Sequence, residues 1–223
     1  MKKNRIMKTL FIALGLLVNL CAQAQLVKLY ATKDDYVDNK YEVPNQTVTI
    51  RNFVQSKENP QYNALYYFWT NDNALRSEIG HRTFLVEYND SLYLNTYLLK
   101  HEKRERLGHG FVKVKDQGEN IFFETLPAES MNSASLLSLG LADKIALQET
   151  PTIYYHYDPA TDRAKPINKQ QLTDILKQDT ELLSLFEKEV NQENIEVLSS
   201  YAKAFFMRKA LKEKKAQARE DQN

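Results

Sequence analysis

Cysteine is almost missing from this chain: one residue in 223, Cys21, within Val18-Asn-Leu-Cys-Ala-Gln-Ala-Gln25. If that stretch is removed before the protein acts, disulfides, a thiolate nucleophile and cysteine-ligated metals are excluded together. Glycine is scarce as well, with six residues, and none forms a glycine-rich loop ahead of a helix, so a phosphate cradle is excluded. No apolar run reaches the ~20 residues that span a bilayer as a helix. Nor is there an excess of charge of one sign: 30 basic residues stand against 29 acidic ones, and a nucleic-acid partner would call for a clustered basic excess.

What is present begins with a leader. Met-Lys-Lys-Asn-Arg-Ile-Met-Lys precedes about a dozen apolar residues and a short polar exit, the order of a secretory signal. Two exits compete. Ala22-Gln23-Ala24 supplies small residues at the first and third positions before a cut, leaving Gln25 first. A lipid on Cys21 would need a small residue immediately before it, where Leu20 stands. The A-x-A pattern is the better fit, so cleavage after Ala24 is expected. The cut removes Lys2, Lys3, Arg5 and Lys8 and no acidic residue, leaving 199 residues with 26 basic and 29 acidic. Such a product is expected to be exported, periplasmic or secreted, and soluble, with a core large enough to fold without disulfides.

Along the chain, Thr32 is placed to cap a short helix over residues 33–38, with Asp34 and Asp35 in its first turn. Val48 and Ile50 alternate with threonines, which predicts a strand. Leu65-Tyr-Tyr-Phe-Trp-Thr70 predicts a buried strand, closed by turn chemistry at Asn71-Asp72-Asn73. Residues 82–88 and 92–97 alternate on either side of Asn89-Asp90-Ser91, a hairpin signal, and a second hairpin joins 111–115 to 121–125. For residues 101–106 the periodicity leaves strand and helical turn open. Residues 130–147, rich in small residues and leucine, predict a helix packed on the sheet. Residues 153–157 predict a last strand, and apolar residues at intervals of three and four from Leu172 to Phe205 predict a helical end. The reading is α+β: an antiparallel, aromatic-rich sheet, a small-residue helix, one further strand and a helical C-terminal region. Its divisions are a signal peptide over 1–24, a β-rich part over 25–165, helices over 166–208 and a charged, frayed tail over 209–223.

Tyr30-Ala-Thr-Lys-Asp-Asp-Tyr-Val-Asp-Asn-Lys40, the Tyr-Phe-Trp strand with its continuation from Gly80 to Tyr88, and Tyr155-His-Tyr-Asp158 followed by Leu172 and Leu182 together resemble a family of uncharacterised exported proteins of the Bacteroidota. The resemblance covers most of the chain after the leader. It implies no activity, since none is assigned to that family.

Four histidines invite a search for chemistry. Glu78-x-x-His81 has ligand spacing for a helix, but Gly80 and the strand that follows argue against a helical face, and zinc would want four convergent ligands, so no metal is expected. Gly108-His109-Gly110 reads as a turn, with an active-site loop as the sharper alternative. Glu78, His81 and His109 are thus the weak catalytic candidates. No G-x-S-x-G occurs, and Asp34-Asp35 and Asp158/Asp162 are better explained by a cap and a turn than as glycosidase carboxylates. The aromatic load is less easily dismissed: nine of the thirteen tyrosines and the one tryptophan lie in or beside the predicted strands. Tyr66, Trp69, Tyr93 and Tyr155 are candidates to stack on a sugar or peptide, against the plainer reading that tyrosine fills half-buried strand positions. Asp90-Ser91-Leu92 resembles a three-residue O-glycan acceptor, which makes Ser91 a candidate for modification. The expectation is a non-enzymatic binding or structural module of the cell envelope, with an unknown protein or glycan partner, no cofactor and no membrane-spanning segment. A hydrolase acting on glycan or peptide is the alternative.

Overall fold

Thr32 shows how local rules start the fold. Its hydroxyl accepts from the Asp35 amide while the Asp35 carboxylate accepts from the Thr32 amide, a reciprocal cap that opens helix α1 (Lys33–Val37) behind strand β1 (Val27–Tyr30). The structure is a computed structural model and describes residues 26–52, 65–101, 106–117, 121–128, 151–158 and 161–220. The expected helix over residues 130–147, the leader and the final residues 221–223 lie outside them.

Strands β4 (Leu85–Tyr88) and β5 (Ser91–Asn95) form the expected hairpin. Asn89 and Asp90 both have positive φ, 47° and 59°, the two-residue turn whose twist matches the strands it joins. Strands β7 (Phe111–Gln117) and β8 (Ile121–Thr125) form the second hairpin, with a register shift between Val114 and Asp116. Strand β9 (Ile153–Asp158) turns back into β10 (Arg163–Pro166) through Asp162, also at positive φ. Among the described residues the sheet runs β1-β4-β5-β7-β8-β9-β10-β6, where β6 is Lys100–His101. Every pair in that run is antiparallel except β10–β6, which is parallel. Strand β2 (Thr49–Asn52) pairs with β3 (Tyr66–Trp69), and β3 joins β7 through Tyr66 opposite Phe111.

Period-two alternation sorts the side chains. Leu85, Leu94, Val112, Phe123, Tyr155 and Tyr157 meet Tyr30 and Ala164 in one core, so inward-facing residues of strands far apart in the run touch and the sheet must curl around them. The outward-facing residues bury separately. Phe122 and Tyr154 pack under helices α3 (Lys169–Leu176), α4 (Thr180–Phe186) and α5 (Ile195–Glu220), where Tyr154 stacks on Phe206 at 5.5 Å and 9°. Val86, Tyr93 and Phe111 are covered instead by Val48, just before β2, by Phe68 of β3 and by Ile79 of helix α2 (Asn73–Arg82).

Two expectations change. The single returning strand is two, β9 and β10, and the second takes Lys100–His101 as a parallel partner, so His101, the first residue of the segment left open over 101–106, is strand, while residues 102–105 lie outside the described ones. Helix α5 carries the helical C-terminal region on through the charged residues 209–220. Asn71-Asp72-Asn73 does not close β3 as a turn: the Asp72 carboxylate accepts from the amides of Ala74 and Leu75 and so caps α2, a helix the sequence had not suggested.

Candidate functional site

Helix α2 sits on β3 with two unlike faces. Leu75 and Ile79 point into the apolar layer over β4 and β5, whereas Asn73, Arg76, Ser77, Gly80 and His81, spaced by three and four, line the other side. That side bounds a groove of about 510 Å³, whose remaining walls are Tyr66, Tyr67, Phe68 and Trp69 of β3, Tyr97 after β5, and His109, Gly110 and Phe111 leading into β7.

Two arginines are held at the rim by one ring. The Arg76 guanidinium lies 4.1 Å from the Trp69 ring centre and that of Arg51, on β2, lies 4.8 Å from it. Arg76 also donates to the Asn73 side-chain oxygen. Across the groove Tyr97 plays the same part: Arg106 stacks on it at 3.8 Å, His81 meets it edge-on at 4.9 Å, and His109 lies at 5.6 Å. His81 Nδ1 is 2.9 Å from the Ser77 carbonyl, which can only accept, so that nitrogen carries the proton and Nε2 of the neutral ring is an acceptor. Partial desolvation holds His109 below the usual imidazole range, helped by the charges of Arg106 and His81. Burial beside Tyr93 pushes the Tyr66 hydroxyl up to about 12.

The backbone is shaped to this wall. Gly110 has φ +134°, and a Cβ there would stand 3.0 Å from the Tyr66 carbonyl. Its own carbonyl accepts from both the amide and the hydroxyl of Thr96, at 2.9 and 2.8 Å.

The sequence candidates separate accordingly. Tyr66, Trp69, His81 and His109 come together at the groove. Glu78 does not: contrary to the expectation of a strand approach, it stands on α2 with His81, but it lines a different, smaller cavity with Asp35, Lys40 and Arg82. Tyr93 is buried against Tyr66 and Phe68. Tyr155 is 1% exposed, and its hydroxyl accepts from the Ala128 amide. Neither ring faces a ligand. Ser91 is half-buried as the first residue of β5 rather than held out in the turn. Arg51, Arg76, Tyr97 and Arg106 were not singled out by the sequence; the spacing of Asn73, Arg76, Ser77 and Gly80 was the available signal, legible only once α2 is a helix.

Chemically the groove is apolar, aromatic and cationic, and no Asp or Glu lines it among the described residues. No group of three or more His, Cys, Asp or Glu among them is arranged to hold a metal ion, and none of their helices is long and apolar enough to cross a membrane. A protein-family model described as a family of unknown function, DUF6563, matches residues 28–208. No curated protein and no solved structure matches the chain.

Proposed function

We propose, for a chain that belongs to the family of unknown function DUF6563, that it is a non-enzymatic binding module and that the groove between α2, β3 and the start of β7 is its ligand site. One observation carries this reading: His81, His109 and Arg76 line the groove, yet among the described residues no lining carboxylate is there to orient a base, donate a proton or attack a substrate. Hydrolysis is the second reading, because Ser77 and His81 share the groove. Against it, the His81 ring bonds the backbone carbonyl of Ser77, so it is not placed to activate that hydroxyl. The leader pattern supports export with the mature chain starting at Gln25, which puts the groove in the periplasm or outside the cell.

The test uses the chain's single tryptophan. Trp69 lies at the groove, so its emission reports occupancy. Fractions of an envelope extract are added to the mature protein while emission and melting temperature are followed, and any ligand is analysed by mass before and after. A saturable change with an unaltered ligand is the expected result. A ligand returned cleaved establishes the hydrolase, and extracts that move neither signal refute the binding module.

A further inference from the structure

Trp69 was a candidate to stack on a sugar or peptide, and Tyr97 is a second ring of the same groove wall. Both are engaged: guanidinium groups of Arg51 and Arg76 lie against the first and that of Arg106 against the second. What the groove presents to a ligand is therefore the stacked cation itself, with apolar surface beside it. Arg76 is the arginine that lines the cavity. Its guanidinium is held by the Trp69 ring and the Asn73 side-chain oxygen, and a planar fork so held matches the two oxygens of a carboxylate. Only the Asn73 side-chain oxygen accepts from it among the described residues, and Arg51 adds a second positive charge at the same ring.

Gly80 points the same way from an independent direction. A glycine inside a helix is less favourable than alanine. Close packing does not explain it here, because a Cβ at Gly80 would meet nothing within 4 Å. The space it leaves belongs to the groove, next to Ile79 and opposite Tyr66 and Phe68. A bulky residue there would fill the place where a ligand's apolar part would lie.

We propose, resting on the reading of this groove as the ligand site, that it takes a small amphipathic acid: a carboxylate forked by Arg76, with an apolar ring or chain laid along Gly80, Tyr66 and Phe68. A free acid fits better than a chain end or a saccharide, since the cavity is the size of one small molecule and its aromatic faces are already stacked. A monoanion fits better than a phosphate, since Arg76 is the one arginine or lysine that lines the wall among the described residues.

The experiment compares 3-phenylpropionate with its amide, 3-phenylpropionamide, by Trp69 emission and by calorimetry. The acid is expected to bind at least ~10-fold more tightly. Arg76→Gln should bring the acid down to the affinity of the amide without weakening the amide, and Arg76→Lys should restore part of the difference. Gly80→Leu should abolish binding of both with no fall in melting temperature, which separates a blocked groove from a damaged fold. Equal affinity of acid and amide, or selectivity surviving Arg76→Gln, overturns the carboxylate while leaving a binding groove. Tighter binding of phenyl phosphate or of N-acetylphenylalanine overturns the small monocarboxylate in favour of a phosphorylated ligand or a peptide end. Silence of both probes overturns this proposal, whereas the extract titration alone judges the binding module.

Discussion

Asn95 and Thr83, both buried, are joined by a hydrogen bond of 2.8 Å from the Asn95 side-chain amide to the Thr83 carbonyl. The same amide reaches the Gly80 carbonyl at 3.1 Å, and the Asn95 side-chain oxygen accepts from the Tyr97 amide at 3.1 Å. One side chain thus satisfies the end of α2 and fixes the turn carrying Tyr97, so it holds the two walls of the groove together. Asn95→Ala leaves the carbonyls of a buried helix end without their donor and should cost about 1–3 kcal/mol. Chemical denaturation measures the loss, and a wild-type midpoint would show that the clamp is idle.

Gly110 sits where a side chain is excluded twice, by its φ of +134° and by the Tyr66 carbonyl 3.0 Å from an added Cβ. Gly110→Ala should destabilise by about 1–3 kcal/mol and shift Trp69 emission, because the strained backbone must move against β3. Gly80→Ala serves as the control: with open space at its Cβ it should stabilise by up to about 1 kcal/mol.

His156 is buried under α3, where its Nδ1 accepts from the Gln171 side-chain amide at 2.9 Å. Burial holds its pKa below the ordinary value of 6.5, with Asp158 opposing and Lys165 reinforcing. The folded state therefore binds fewer protons than the unfolded chain. Stability is fully present above about pH 6.5 and declines as pH falls toward the lowered folded value. A urea midpoint that falls between about pH 7 and pH 5, and falls less in His156→Gln, is expected. An identical slope in the variant would assign the acid limb to other groups.

The alkaline limb should belong to tyrosine. Burial, then hydrogen bonds to Glu87 and Asp162, raises the hydroxyls of Tyr30 and Tyr157; burial and Glu124 raise that of Tyr154. Each stays protonated in the fold after it would ionise in the unfolded chain. Their stabilising contribution is complete below about pH 10 and is lost as pH rises above it. The share of tyrosinate absorbance that is missing in Tyr157→Phe should thus appear together with loss of secondary structure; that share rising first, on a folded protein, would count against a buried hydroxyl.

Intact mass of the exported protein tests the leader and Ser91 at once. A mass starting at Gln25 is expected, and a lipidated Cys21 would replace the soluble reading with an anchored one. Added hexose mass that vanishes in Ser91→Ala would mark the modification; because Ser91 is half-buried in β5, that sugar would have to lie along the hairpin edge.

Much of the fold was legible locally. The Thr32 cap, the Asn89-Asp90 turn, the alternating runs of β4, β5, β7, β8 and β9, and the spacing of Leu172, Ile175 and Leu176 are each written within a few neighbouring residues, because capping, turn and period-two rules act over that range. Helix α2 escaped the same rules: Leu75 and Ile79 are its main apolar contacts, and Gly80 stands inside it, where glycine is a poor helix former. Strand β10 and its parallel partner β6 escaped because a two-residue pairing across 63 positions has no local period.

The amino-acid order by itself determined a chain with a single cysteine, near-balanced in charge, rich in tyrosine, and built as hairpins followed by helices. Tertiary structure alone decided which aromatics are core and which are wall. Tyr93 and Tyr155 vanished into the interior, while Trp69 and Tyr97, 28 positions apart, became the rings that hold arginine at one groove. The reason is physical: alternation tells a strand's two faces apart but not what will cover each, and here that depended on β2, β3 and α2 folding back over β5 and β7.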